Sequence, residues 1–147
     1  MQGMVGLWGG SQGSLQSGGG VKFVTGGNRG LWGGGNPDEQ PGPGPKYGVI
    51  DYVSIPTTGN ATQFGDLTVP RSNAAAFSNQ TRAVWVGGVI PGSPYRTEVM
   101  DYVTVASTGN ASDFGNLTPA ASSYVAGCSD GSQGDRGLAW GGTGPLR

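Results

Sequence analysis

Histidine is absent from this chain of 147 residues. Because histidine is the commonest metal ligand and the usual general base near neutral pH, its absence excludes a histidine metal site and a histidine-dependent active site. Lysine and arginine number 8 against 9 acidic residues, which gives a net charge of −1. This balance excludes the basic surface that nucleic-acid-binding proteins carry. We therefore expect no cofactor and no nucleic-acid partner.

Cysteine is nearly absent as well, since Cys128 is the only one in the sequence. A disulfide within the chain is therefore excluded. Cys128 lies in the apolar stretch Tyr-Val-Ala-Gly-Cys-Ser, where no neighbouring residue favours a reactive thiolate. We interpret it as a small residue of the core.

Long hydrophobic runs are missing too. No apolar run approaches the roughly 20 residues needed to span a bilayer, and the start Met-Gln-Gly-Met-Val lacks the basic and then apolar pattern of a signal peptide. We expect synthesis in the cytoplasm without Sec export, and no insertion into a membrane. Helical periodicity is equally absent, because no long stretch keeps a 3.6-residue period free of glycine and proline.

Glycine is abundant, with 31 glycines beside 10 prolines, a composition found in low-complexity chains. The 4 tryptophans argue against disorder, because disordered segments are poor in aromatic residues. We interpret the glycines as turn residues between short strands and predict an all-β fold. Gly59 and Gly109 are expected in turns with positive φ. The predicted strands span residues 21–25, 29–33, 49–55, 63–67, 74–77, 82–86, 98–105, 113–117, 122–126 and 136–140.

One segment of the sequence occurs twice, fifty residues apart. Residues 50–68 contain Asp-Tyr-Val, Thr-Gly-Asn-Ala and Phe-Gly-x-Leu-Thr in that order, and residues 100–118 contain the same three groups. A repeat of this length predicts stacked copies of a unit that does not bury its apolar face alone. Its most regular positions are Asp51, Tyr52 and Phe64 in the first copy and Asp101, Tyr102 and Phe114 in the second.

The two repeated aspartates are the candidates for chemistry. Together with Asp66 and Asp113, Asp51 and Asp101 could be imagined as a carboxylate pair for glycoside hydrolysis or as oxygen ligands for Ca²⁺. An active site is normally singular, however, whereas these residues recur with the repeat. We expect both side chains to bond neighbouring backbone or hydroxyl groups, with ion binding as the weaker alternative, and we expect no catalytic residue.

A second motif, which we call the marker, recurs in phase with the first at residues 28–35, 81–88 and 135–142. It is a short aromatic strand ended by two glycines. Its tryptophans, which we place at equivalent positions and expect to pack between units, are Trp32, Trp85 and Trp140. Its glycine pairs are Gly34 and Gly35, Gly87 and Gly88, and Gly141 and Gly142. Residues 6–10 copy the centre of the marker, and we predict an assembly strand containing Val5, Leu7 and Trp8.

The order of these groups resembles the kelch repeat: an apolar strand, a glycine pair, a variable loop, a strand with tyrosine, a further short strand, and an arginine or small residue before the next apolar strand. The resemblance covers about residues 21–142, with Phe64 and Phe114 where kelch repeats usually have tryptophan. It implies four-stranded blades of a β-propeller, about two and a half per chain. The implied division is an N-terminal strand with a Gly/Ser-rich linker at 1–20, units at 21–70 and 71–120, a partial unit at 121–142 and a tail at 143–147.

The phrase Gly-Asn-Ala-Thr/Ser-x-Phe-Gly-x-Leu-Thr after Asp-Tyr-Val is similar to a degenerate kelch-like repeat of virion and tail-fibre-like proteins in tailed marine phages, especially cyanophages. This resemblance implies a structural or adhesive virion protein, a tail, fibre or capsid decoration component exposed on the particle surface. A carbohydrate-binding β-propeller module is the alternative, for which Tyr47 and Tyr95 are the loop aromatics. An enzyme of the galactose oxidase type is excluded, because its copper ligands include histidine.

Propellers need about 4 to 8 blades to close, so a chain with about two and a half requires partners. Our leading hypothesis is a closed homo-oligomer in which Val5, Leu7 and Trp8 of one copy complete the sheet begun by residues 136–140 of another. Three copies would give a ring of about six blades, which favours a trimer. The competing hypotheses are binding to other virion proteins and an open stack. A host-surface glycan or receptor is a further expected partner.

Overall fold

The computed structural model describes residues 28–37, 44–118, 122–129 and 136–143, together with the backbone of residues 22–26. None of these residues lies in a helix, so the predicted all-β class is confirmed. The strands are β1 (Lys22–Gly26), β2 (Arg29–Gly35), β3 (Tyr47–Ser54), β4 (Thr62–Asp66), β5 (Ala75–Ser78), β6 (Arg82–Val86), β7 (Val99–Thr104), β8 (Ser112–Asn116), β9 (Ser123–Ser129) and β10 (Gly137–Thr143).

The strands form three antiparallel sheets, each of which joins neighbours in sequence order. The first sheet contains β1 to β4, the second contains β5 to β8, and the third contains β9 and β10. The connections within the sheets are between two and twelve residues long, which suits antiparallel neighbours because they need no long crossover between them. Both copies of the repeat form the third and fourth strands of a sheet, so one repeat unit corresponds to one four-stranded sheet.

The two four-stranded sheets share one register. Trp32 lies opposite Asp51 in the first sheet, and Trp85 lies opposite Asp101 in the second. The ladder between the third and fourth strands is irregular at the same place in both sheets, immediately before the aspartate. Because side chains alternate along a strand, residues related by the repeat point to the same face in both sheets.

The second sheet is covered on both faces. Ala83 and Trp85 of β6 enter a core cluster shared with the first sheet, whereas Val84 and Val86 enter a cluster that Val125 of the third sheet completes. A strand that is apolar on both faces is expected in such a middle layer. The buried residues of the first cluster are Leu31, Ile50, Phe64, Leu67, Ala76, Ala83, Trp85, Val103 and Val105.

The glycine pair of the marker ends the second strand of each sheet. A Cβ at Gly34 would collide with the carbonyl oxygen of Arg71, and one at Gly87 would collide with that of Ser122. Only glycine fits where a positive φ and such a close approach coincide. The φ angles are 77° and 139° at Gly34 and Gly35, 64° and 116° at Gly87 and Gly88, and 72° and 87° at Gly141 and Gly142.

Of the two other expected turn glycines, only Gly109 has the predicted positive φ. Gly59 does not have positive φ, so the expectation for it is wrong. Gly109 has a φ of 159°, at the edge of the extended region that any residue can adopt.

Trp140 does not occupy the position of Trp32 and Trp85. Those two lie two residues before the glycine pair of their marker, whereas Trp140 lies one residue before Gly141. The positive φ of both glycines after Trp140 fixes this alignment. Since side chains alternate, Trp140 lies on the opposite face of its strand, and it is 53% exposed. The prediction that Trp140 shares the packing position of the other two is therefore wrong.

The strands fall within the predicted units, with β1 to β4 in residues 21–70 and β5 to β8 in residues 71–120. The partial unit contains β9 and most of β10, which ends at Thr143. The predicted assembly strand with Val5, Leu7 and Trp8 lies outside the described residues, as does the rest of residues 1–20. That strand stays a prediction.

Candidate functional site

A buried ion pair joins the first and second sheets. Arg71, in the connection from β4 to β5, donates from Nη2 to Oδ2 of Asp101 over 2.7 Å, and both side chains are 0% exposed. Thr68, in the same connection, donates its backbone N–H to Oδ2 over 3.1 Å and its hydroxyl to Oδ1 over 2.5 Å. Asp101 thus fastens the connection between the two sheets to the middle of the second sheet.

The other donors of Arg71 bind backbone carbonyl oxygens. Nη1 donates to Gly87 over 3.2 Å and to Val99 over 2.7 Å, and Nε donates to Val69 over 3.1 Å. Burial lowers the pKa of Arg71, and the Asp101 carboxylate opposes that shift. A charge buried in the interior requires such full pairing, because an unpaired one is strongly unfavourable. We call the acceptor set of Gly87, Val99 and Asp101 the arginine site.

The sequence predicts bonds from Asp101 to backbone or hydroxyl groups, and the structure places both at Thr68. Arg71 is the arginine that the kelch-like order places before the next apolar strand, but sequence reasoning missed its pairing with Asp101. Its signal is faint: a single cation stands four residues before the start of β5, with no acid beside it in the sequence. The pairing becomes visible only when the second sheet is stacked on the first.

Asp51 has the corresponding place in the first sheet but a different environment. It is half-buried and lies beside an open pocket of about 510 Å³. Among the residues that the structure describes, no side chain donates a hydrogen bond to its carboxylate. The pocket, which we call the Asp51 pocket, is lined by Trp32, Gly34, Tyr47, Val49, Asp51 and Ala61.

The two equivalent tryptophans differ in the same way. Trp85 is 0% exposed, and its indole lies so close to Gly33 of the first sheet that a Cβ there would be 2.8 Å from the ring. Packing between units, the role predicted for the tryptophans, is therefore found at Trp85. Trp32 is only half-buried, because no sheet of the described part of the chain lies over it.

The repeated aromatic residues form one pair in each four-stranded sheet. The rings of Tyr52 and Phe64 meet edge to face with centroids 5.7 Å apart, and those of Tyr102 and Phe114 do so at 5.8 Å. An arginine of the neighbouring strand lies 5.0 Å from the centroid of each tyrosine ring. Phe64 is 3% exposed and Phe114 is 46% exposed, since the second sheet covers the first, whereas the described strands that follow the second form a sheet of two strands.

The loop between β7 and β8 covers the outer edge of the first sheet. Gly109 and Ala111 donate backbone N–H groups to the carbonyl oxygens of Phe64 and Asp66, each over 2.8 Å. The side-chain oxygen of Asn110 accepts from the N–H of Asp66 over 3.1 Å. Sequence reasoning treats Thr-Gly-Asn-Ala as a turn only, and so misses that it shields an edge strand from foreign pairing.

Chemistry of other kinds has little support in the described residues. They contain no group of three or more His, Cys, Asp or Glu side chains that could hold a metal ion. They also contain no helix long and apolar enough to cross a membrane. Cys128 is half-buried at the end of β9. The buried polar groups with the most hydrogen bonds, Arg71 and Asp101, connect one sheet to the next.

Comparison with protein families and with curated proteins gives no relative. No model of a protein family matches the chain, and no curated protein matches it significantly in sequence. Function is therefore inferred from the repeat and from the geometry of its sheets.

Proposed function

We propose that the chain is a structural or adhesive protein of a phage virion, a tail, fibre or capsid decoration component. The observation that carries this proposal is a stack of repeat-built sheets in which the described residues leave exposed apolar side chains on the first and the third sheet. The buried ion pair of Arg71 and Asp101 serves the contact between the first and second sheets. The resemblance of the repeated phrase to virion proteins of tailed phages supports its assignment to a particle.

Within this proposal the sheets are kelch-like β-propeller blades, two of them complete and one partial. Three features support it. Each repeat unit forms one four-stranded antiparallel sheet, as a blade does. The sheets lie face to face in chain order through apolar clusters. Finally, β10 pairs with β9 alone among the described strands, and thus offers an open edge where a further strand can add.

The two ends of the stack are the proposed contact surfaces. On the third sheet Leu138 is 62% and Trp140 is 53% exposed, and on the first sheet Tyr47 is 51% and Val49 is 38% exposed. Exposed apolar side chains grouped in this way mark interaction sites. We propose that they bind further copies of the chain, with a trimer as the favoured closed form, or other virion proteins.

The location of the protein tests the proposal. We expect mass spectrometry of purified particles, separated into heads and tails, to detect the chain in one of the two fractions at a fixed ratio to the main structural protein. A tail or fibre component accompanies the tails, and a decoration protein accompanies the heads. Detection of the chain in the lysate supernatant and in neither the head nor the tail fraction would contradict a virion role.

Self-association is tested at the third sheet. Leu138→Glu places a charge on its exposed apolar face, and we expect the native mass measured by light scattering to fall to that of a single chain. The melting temperature of the variant should stay unchanged, because Leu138 contributes little to the core of one chain. Thr57→Glu, at an exposed turn of the first sheet, is the matched control. Equal masses for wild type and both variants would exclude this face from an oligomer contact.

A carbohydrate-binding module is the second candidate, and the Asp51 pocket favours it. Trp32 and Tyr47 present aromatic rings beside the Asp51 carboxylate, a combination that can stack on a sugar and accept hydrogen bonds from its hydroxyl groups. A glycan array separates the two candidates. Retention of a glycan by the wild-type chain and its loss in Tyr47→Ser would favour the binding module.

A further inference from the structure

The Asp51 pocket is a second copy of the arginine site. Gly34, Val49 and Asp51 line it, and the repeat aligns these residues with the three acceptors that hold Arg71 in the second sheet. Those acceptors bind the guanidinium over 3.2, 2.7 and 2.7 Å. The same acceptor types therefore stand in the same order around an open pocket of about 510 Å³.

The correspondence is one of geometry as well as sequence. Val49 pairs with the last residue of β4, and Val99 pairs with the last residue of β8. Each aspartate lies opposite the marker tryptophan of its own sheet. Gly34 has a φ of 77° and Gly87 a φ of 64°. The carbonyl groups and the carboxylate therefore have matching places in the two sheets.

The described residues supply the Asp51 pocket with no cation like the one that completes its counterpart. Among the described residues no donor side chain reaches the Asp51 carboxylate. Arg71 is carried by the connection that precedes the second sheet. The sequence that precedes the first sheet, residues 17–21, reads Ser-Gly-Gly-Gly-Val and contains neither arginine nor lysine. A second copy of the chain offers no replacement from its next connection, because Ser122 stands there in the place of Arg71.

We propose that the Asp51 pocket binds the guanidinium of an arginine from a different polypeptide, carried on an extended Thr-x-x-Arg segment like Thr68 to Arg71. A guanidinium has five N–H donors and no acceptor, so it suits a site of one carboxylate and two carbonyl oxygens. Lysine presents a compact charge without the planar fork and fits less well. The threonine of such a segment would donate to Asp51 as Thr68 donates to Asp101.

This inference rests on the proposed assembly role and adds the chemistry of the partner. Of the partners proposed above it selects a non-identical protein for the first sheet, which replaces the closed trimer, whereas the face with Leu138 is left to self-association. A sugar remains the competing ligand, yet it carries no charge to balance the aspartate. The occupied copy of the site favours arginine.

The test is a titration of the full chain with the peptide Gly-Asp-Leu-Thr-Val-Pro-Arg-Ser-Asn-Ala, residues 65–74, blocked at both ends. Wild type and Leu138→Glu are both used, so that self-association cannot mask the pocket. We expect calorimetry to detect one site. Asp51→Asn should weaken binding at least tenfold, and so should lysine in place of the peptide arginine. Glu98→Gln, which removes the same charge from an exposed position, should leave the affinity unchanged.

Several results would overturn the proposal: no binding at millimolar peptide to either protein, equal affinity of Asp51→Asn and wild type, or equal affinity of the lysine and arginine peptides. Capture of a glycan that Asp51→Asn abolishes would assign the pocket to a sugar. A fall in native mass of Asp51→Asn would assign it to a second copy. Failure here with the chain still present in purified particles would leave the virion role standing. Peptide binding by a chain absent from particles would leave the arginine site standing.

Discussion

Replacing Trp85 by alanine is expected to lower the free energy of unfolding by about 3 to 5 kcal/mol. The indole is 0% exposed and fills the space above Gly33 of the first sheet. Its removal takes away the largest fully buried side chain of the described residues and leaves a cavity that two β-sheets cannot close by moving a single side chain. Chemical denaturation followed by far-ultraviolet circular dichroism measures the loss independently of tryptophan fluorescence.

Trp32→Ala is the matched control, because it changes the same residue type at the same position of the first sheet. Trp32 is half-buried beside an open pocket, so its removal should cost clearly less than that of Trp85. If Trp85→Ala does not fold, Trp85→Phe keeps most of the ring volume and should still fold, with a smaller loss. Equal losses for the two alanine variants, or a stable Trp85→Ala that only loses ligand binding, would refute the packing role.

The strands and the repeat could be predicted from the sequence because their causes are local. Alternation of apolar residues, β-branched side chains and glycine at the ends of strands all act within a few residues. Glycine pairs such as Gly34 and Gly35 could be found as repeated positions, although their cause is partly distant. The carbonyl oxygen of Arg71, which excludes a side chain at Gly34, belongs to the following connection.

The direction of single side chains was less predictable. Trp140 stands one residue later in its marker than Trp85 does, and a shift of one residue reverses the face of a strand. An exposed tryptophan at the end of the stack thus looks in the sequence like a buried one in its middle. Only the paired strands and the φ angles of the following glycines distinguish the two.

Contacts between sheets were the least predictable. Arg71 and Asp101 are thirty residues apart in the sequence and meet because the connection before the second sheet crosses the third strand of that sheet. The bonds from Gly109 and Ala111 to the edge of the first sheet join backbone to backbone. Such bonds require no particular residue type and so cannot be seen in the sequence, except at Gly65, where a side chain would collide with the Gly109 carbonyl oxygen.

Replacing either partner of the buried ion pair of Arg71 and Asp101 is also expected to lower the free energy of unfolding strongly. Asp101→Asn leaves the Arg71 guanidinium buried without its counter-charge, and Arg71→Met leaves the carboxylate with Thr68 alone. Each change should lower the free energy of unfolding by about 3 to 5 kcal/mol, because an unpaired buried charge is far less favourable than a paired one. Urea denaturation at neutral pH measures both losses.

The double variant Arg71→Met with Asp101→Leu separates the pair from its parts. With both charges removed there is no uncompensated charge, so its loss should be smaller than the sum of the two single losses by more than about 1 kcal/mol. Asp51→Asn is the internal control, because the same residue in the first sheet lacks an arginine among the described residues and should cost at most about 0.5 kcal/mol. Additive losses would mean that Arg71 and Asp101 contribute separately. If Asp51→Asn lowers the free energy of unfolding as much as Asp101→Asn does, the aspartate stabilises its own strand, and its pairing with an arginine is not the cause of the loss.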